Sequence, residues 1–318
     1  MKTYSFTPAS YVHTMGNHSP VLRVSSNDRI ITSCLDARGY DANNQQIVAS
    51  GNPLTGPFYV EGAEPGDTLA VKLERITPSR RHGWSGWLLA AHVVEAADVA
   101  TLAQADTSDE AWNWDVDVTA GTARLDHSTS PWHERSLALA PMLGCFGVAP
   151  ARGQAITSLT SGTHGGNMDY RGFQAGSTAY FPVFEPGALF FLGDGHAAQG
   201  DGEIIGTGIE ISVNVEFRVR VVKHQRIRWP RGQDEHSIFT LGNARPLEQG
   251  LQHATSEMLH WLMEGYNLDV PHASLLLGFA GRYDLGNVIN PAYTVVCKLP
   301  KQLLPGSMHP DQEREKPA

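Results

Sequence analysis

The 318 residues predict a mainly β protein with a small helical portion near the C-terminus. Three observations carry that prediction. From Glu210 to Val221 the chain alternates, with Ile211, Val213, Val215, Phe217, Val219 and Val221 on one face and Glu210, Ser212, Asn214, Glu216, Arg218 and Arg220 on the other. Residues two apart share a face of a strand, so this is a long strand with one face in a core and the other in water or against a subunit. Shorter β-branched runs bounded by Asn, Asp, Pro and Gly fill most of the chain before it. Leu247, Leu251, Ala254, Met258, Leu259 and Leu262 instead recur with a helical period, which sets the last third apart.

Taken in order, Val21 to Val24 is short and extended, Asn27-Asp28 is a turn, and Arg29 to Leu35 is a strand that ends at Asp36. A carboxylate there suits either a ligand site or a turn cap. Proline and glycine between Asn52 and Asp67 exclude helix and central strand until Thr68 to Ile76, whose Leu69, Val71 and Leu73 share one face. Glu61, between two turns, reads equally as a catalytic carboxylate and as a salt-bridged turn residue. Glu64-Pro-Gly and Glu185-Pro-Gly each follow an aromatic and valine segment, an echo compatible with two related β units. Leu88 to Leu102 is compatible with a helix, and the tryptophans around it read as core or interface fillers. Leu125 to Ala149 returns to short β pieces. Cys145, inside them, has no visible base or electropositive setting and reads as an inert buried thiol, with a nucleophilic cysteine as the alternative.

The closing elements are a helix from Pro246 to Met263 stopped by Gly265, a second helix from Pro271 to Ala280, and a strand from Asn290 to Leu299. Met308 to Ala318 is polar and expected to fray. The whole reads as one domain, 1–318, with two β subdomains at about 1–150 and 151–245 and a helical segment at 246–300.

Two glycine-rich segments concentrate the chemistry. Gly193-Asp-Gly-His-Ala-Ala-Gln-Gly-Asp-Gly-Glu203 holds Asp194, His196, Asp201 and Glu203, between the apolar run Ala188 to Leu192 and a strand expected from Ile204 to Val222. Ser161-Gly-Thr-His-Gly-Gly-Asn-Met-Asp169 holds His164, Asn167 and Asp169. Each could be a surface turn, since Gly and Asp build hairpins. Two such loops separated by one β unit favour a shared site, and mixed carboxylate and imidazole groups suit a divalent metal or acid/base work.

Composition excludes other classes. The net charge of −9, with basic residues dispersed, argues against nucleic acid. Three widely spaced cysteines form no CxxC pair, so neither a disulfide scaffold nor a cysteine zinc site is expected. No apolar segment approaches the ~20 residues of a spanning helix, and the N-terminus lacks a signal pattern, so the expectation is a cytoplasmic protein with no membrane partner. No GxSxG elbow is present.

With these segments in hand the chain resembles the acetamidase/formamidase family. The resemblance rests on Thr55-Gly-Pro-Phe-Tyr-Val-Glu-Gly-Ala-Glu-Pro-Gly-Asp67, His164-Gly-Gly-Asn-Met-Asp169, Gly193 to Glu203 and Asn290-Pro-Ala-Tyr-Thr-Val, in the family's order. It implies a β-sandwich or barrel-like architecture with a small α/β portion. It also implies a homo-oligomeric hydrolase that cleaves short aliphatic amides, such as formamide or acetamide, to a carboxylate and ammonia. A bound divalent metal is implied too, with Asp36, His164 and His196 as first ligands and Asp194, Asp169 and Glu203 in reserve. Zn²⁺ is the expected ion and Ca²⁺ the alternative. Glu61 or Glu203 would shuttle the proton and Asn167 or loop N–H groups would stabilise the oxyanion. The non-catalytic rival is a metal-binding β-sandwich that recognises a small ligand without turning it over.

Overall fold

The computed structural model describes residues 1–105 and 111–306; the expected fraying of Met308 to Ala318 lies outside the described residues. Three layers stack on one another. A six-stranded sheet includes Leu54–Val60, Met142–Val148, Gly165–Asn167 and Phe190–His196. A nine-stranded sheet includes Arg29–Cys34, Thr68–Pro78, Thr178–Pro182, Val213–Val222, Ser237–Ala244 and Tyr293–Pro300. The main core lies between them: Phe58, Phe146, Phe190 and Leu192 of the smaller sheet meet Val71, Leu73, Phe217 and Val219 of the larger one. The chain is therefore mainly β, a sandwich as expected.

The alternation that announces the strand Val213–Val222 is explained by this packing. Val213, Val215, Phe217 and Val219 are fully buried, while Arg218 and Arg220 are half-buried on the other face. That outer face is laced by ion pairs, with Glu216 between Arg29 and Arg75, and Glu74 between Arg29 and Arg218. The strand begins at Val213, not Ile204. Between the two positions the chain makes a turn at Asp201–Glu203 and then crosses Trp84 and His196 through isolated bridges at Glu210.

The third layer is the helical pair, Leu247–Tyr266 and Val270–Ala280. Ala254, Met258, Trp261, Leu262 and Ala273 cover Tyr180, Ile238, Cys297 and Leu299 on the far face of the larger sheet. A buried Arg231–Glu257 ion pair at 2.6 Å ties sheet to helix. Asp269 caps the second helix by accepting from the His272 N–H, with Pro271 in its first turn.

Strands from before and after residue 150 alternate within both large sheets, so that position does not separate two sheets. The stretch expected as a helix from Leu88 to Leu102 contains only short turns, at Ala91–Val93 and Val99–Leu102. The tryptophan-rich region forms its own four-stranded sheet, from His82–Ser85 to Ser136–Ala138, in which Trp87 stacks on Trp112. No described helix is long and apolar enough to cross a membrane.

Candidate functional site

Three strands of the smaller sheet end together, and the site is built on their ends. Met142 pairs with His196, Cys145 with both Gly193 and Asn167, and the register leaves Gly144 opposite Asp194. Gly144 has to be glycine: a Cβ there would meet Asp194 Oδ2 at 2.7 Å and Asp169 Oδ1 closer still. Its backbone carbonyl accepts from the N–H groups of Met168 and Asp169, which turns the Asp169 side chain in beside Asp194. The excursion after His196 then brings back Glu203 and Glu210.

The result is a buried cage of one imidazole and four carboxylates. Asp169, Asp194, His196, Glu203 and Glu210 are at most 6% exposed. Two sets of ligand atoms, Asp169–His196–Glu203 and Asp194–His196–Glu210, each lie within 4.8 Å of one another and share the imidazole. His196 Nε2 is 2.9 Å from Glu210 Oε1 and 3.5 Å from Asp194 Oδ1, and makes a hydrogen bond to neither. Asp169 Oδ1, Asp194 Oδ1 and Glu210 Oε2 also lack hydrogen-bond partners. Buried polar atoms are ordinarily satisfied, so this concentration of unmet acceptors needs an explanation. Backbone strain gathers at the same place: Asp169, Asp194 and Glu203 have φ of 43°, 60° and 50°.

Outer groups aim these side chains. Asn290 Nδ2 donates to Asp169 Oδ2 at 2.6 Å, with Asn287 at 3.4 Å, which leaves Oδ1 for the cage. Asn52 Nδ2 donates to Asp194 Oδ2 and to Asn167 Oδ1. Gln199 Nε2 donates to the carbonyls of Asp169 and Gly286, so its Oε1 must accept from His196 Nδ1 at 2.8 Å. Nδ1 therefore carries a proton, which leaves Nε2, aimed at the carboxylates, as the ring atom that would ligate an ion.

Electrostatics follow from crowding. Burial and the neighbouring Asp194 push Asp169 up to about 8, and burial with Asp169 holds Glu203 well above the usual carboxylate range. Burial and Asp194 push Glu210 up to about 7. Burial alone would lower His196, but Glu210 and Asp194 outweigh it and hold the imidazole well above its ordinary value. A cage in this condition carries protons that a cation would replace.

The profile of the acetamidase/formamidase family matches residues 17–160 and 151–253. The chain belongs to the acetamidase/formamidase family. Among the solved structures, this family member is similar to the acetamidase of Yersinia enterocolitica. That pair is 31% identical with a TM-score of 0.80, covering 95% of this chain and 93% of the other. It is also similar to the acetamidase of Bacillus halodurans, at 29% and 0.77, covering 93% and 97%. An acetamidase from Mycolicibacterium smegmatis is 29% identical over 242 residues, 61% of this chain and 59% of that protein. The chain spans about half to three fifths of the length of the curated relatives it matches.

Within this acetamidase/formamidase fold, His196, Asp194, Asp169 and Glu203 from the sequence reading converge, and three other expected residues do not join them. Asp36 is fully buried, but Arg80, Trp84 Nε1 and the N–H groups of Arg38 and Tyr40 occupy both of its oxygens, leaving no lone pair for an ion. His164 folds over its own hairpin beside Gly162 and Gly166, outside both ligand sets. Burial with no counter-charge pushes it down to about 4. Glu61 is half-exposed and paired with Arg23 at the surface, 3.1 Å away. Asn167 borders the cage through Asn52 but spends its Oδ1 there. Cys145 is fully buried, donates to the Ser158 carbonyl, and is pushed further up by burial and by Asp194, the wrong direction for a nucleophile.

Glu210, Gln199, Gly144 and Asn287 also build the cage, and the sequence reading does not single them out. Only Glu210 carried a signal. It heads the alternating run, on the face that the pattern assigns to water or a subunit.

Proposed function

We propose that this chain hydrolyses small neutral aliphatic amides, of formamide or acetamide type, at the buried cage around His196, with a divalent cation bound there. The observation that carries the reading is the set of unmet donor atoms, His196 Nε2, Asp169 Oδ1, Asp194 Oδ1 and Glu210 Oε2, in a member of this family. Those atoms fit a cation: one imidazole nitrogen fixed in the ligating tautomer, among carboxylate oxygens whose other atoms are held by amides. The set suits Zn²⁺, and its oxygen content suits Ca²⁺ as well, which makes the pair a direct comparison. When bound, such an ion supplies a Lewis acid that polarises the amide carbonyl and lowers the pKa of water.

The chain's own groups do the rest. An amide needs a proton delivered to its leaving nitrogen, and Glu203, whose carboxyl burial and Asp169 hold well above the usual carboxylate range, is the group placed to carry it. Gln199 keeps the His196 ring from flipping, and Asn290 and Asn52 fix the two aspartates, so the cage needs no rearrangement during the reaction. The walls exclude bulk water, since every cage residue is buried. Such a cage suits a substrate of a few heavy atoms, whose small binding energy leaves millimolar affinity as the expected scale.

The test is ammonia release from a panel of short amides by protein as purified, after chelation, and after return of Zn²⁺ or Ca²⁺. Turnover that is lost on chelation and restored by one ion supports the reading. Metal uptake without any ammonia would instead favour the non-catalytic sandwich, and turnover indifferent to chelation would remove the ion.

A further inference from the structure

Thr178–Pro182 and Arg231–Gln233 are short strands that stop together, at the paired residues Thr178 and Gln233. At that end of the nine-stranded sheet lies a cavity of about 1210 Å³, and none of the cage residues lines it. We propose that this cavity binds a small multivalent oxyanion, one that carries two or more phosphate or carboxylate groups.

Charge selects the ligand. Lys72, Arg171, Arg218, Arg220, Lys298 and Lys301 line the cavity, against the carboxylates of Asp234, Glu235 and Asp284. Two of those carboxylates are largely spent. Asp284 accepts from the Tyr170 hydroxyl at 2.8 Å. Asp234 Oδ1 takes the N–H groups of His236 and Ser237, and its Oδ2 meets Lys298 at 3.3 Å. Lys301 donates to the Asp234 carbonyl, a dipole and not a charge.

The sheet register adds a like-charge contact. Arg218 stands directly opposite Lys72 on the neighbouring strand, a pairing that costs stability unless an anion lies close to both. Glu74 offsets Arg218, but Arg29 shares that carboxylate. Lys72 donates to the Gly176 carbonyl at 2.5 Å and has no carboxylate partner among the described residues. Arg171 is the one lining cation with a carboxylate to itself, Asp201 at 2.5 Å.

Spacing selects more than one anionic group. Lys72 and Lys298 sit on strands with three others between them in the sheet. Four strand spacings are roughly 19 Å of backbone separation, too far for one phosphate or one acetate to serve both sides. The volume exceeds the ~300–1,000 Å³ typical of small-molecule sites, so a ligand with two separated groups has room. Lysines act as point charges and accept either oxyanion, which leaves the choice between phosphate and carboxylate to the ligand series.

Isothermal titration calorimetry of the protein as purified, at constant ionic strength, tests this. Fructose 1,6-bisphosphate and tricarballylate are the multivalent probes, and inorganic phosphate and acetate are their single-group counterparts. At least one multivalent probe should bind saturably, one per chain, and at least about tenfold more tightly than its counterpart. The tighter of the two tells whether the groups are phosphates or carboxylates. Lys72→Gln and Lys298→Gln each remove one charge from one side and should each weaken that probe by at least about tenfold, with circular dichroism confirming the fold. His196→Ala should leave its affinity unchanged, because the cage lies outside the cavity. No saturable binding of either multivalent probe, equal affinity for single-group anions, binding that survives both lysine variants, or binding lost in His196→Ala would each overturn the proposal.

Discussion

Asp36 and Asp169 are both completely buried carboxylates, yet their surroundings are opposite. Asp36 has a guanidinium, an indole N–H and two backbone N–H groups on its two oxygens. Asp169 has donors on one oxygen only and shares its other side with Asp194, Glu203 and Glu210. The first arrangement neutralises a charge and is finished; the second accumulates like charges and is not. Burial of a carboxylate is thus no sign of a site by itself. Unmet acceptor capacity is, and the comparison can be pressed from both sides.

The largest effect is expected on the unfinished side. His196→Ala should cost more than about 100-fold in Zn²⁺ affinity, beyond the ~10–100-fold typical of outer partners, and turnover should fall with it. Calorimetry and metal analysis on the folded variant would check this, and retention of both would remove His196 from the cage. On the finished side, Arg80→Met strands the Asp36 charge and should destabilise by about 3–5 kcal/mol with metal content unchanged, as read by urea denaturation and metal analysis.

Gln199→Leu sharpens the contrast between holding and being held. It frees the imidazole tautomer and should weaken Zn²⁺ by ~10–100-fold, with the ¹⁵N signature of His196 shifting from a fixed to a mixed tautomer. A variant that merely loosened the fold would leave that signature fixed.

A smaller effect is expected from pH. Asp169, Glu203, Glu210 and His196 all have folded pKa values raised above their unfolded ones. The folded state therefore binds more protons than the unfolded state, and stability falls as pH rises toward 8, where Asp169 titrates. His164, pushed down to about 4, acts oppositely, but only between about 4 and its ordinary value near 6.5. Chelated protein should accordingly lose thermal stability between pH 6.5 and 8, and a bound cation should flatten that slope.

The sandwich and its strand Val213–Val222 are legible in the sequence because one core face imposes a strict period of two. It also exposed His196, Asp194, Asp169 and Glu203, since glycines crowd where strained carboxylates and close backbone approach require them. Asp36 reads as a candidate ligand in the sequence because a strand-end aspartate looks the same whether or not an arginine meets it, and Arg80 is distant in the chain. Glu210 was hidden for the opposite reason. It continues the polar side of an alternating pattern, yet the strand starts three residues later and leaves it inside. Gln199 lay within a recognised segment, but its role depends on two carbonyls, at Asp169 and Gly286, that only folding brings near.

The most direct measurement is a Zn²⁺ titration of chelated protein at pH 7 in two buffers of different ionisation enthalpy, which counts protons released on binding. If the cage holds protons in place of an ion, saturable uptake should expel at least one proton from among Asp169 and His196, and Asp169→Asn should lower that number. No saturable uptake, or uptake that releases no protons, would contradict the account.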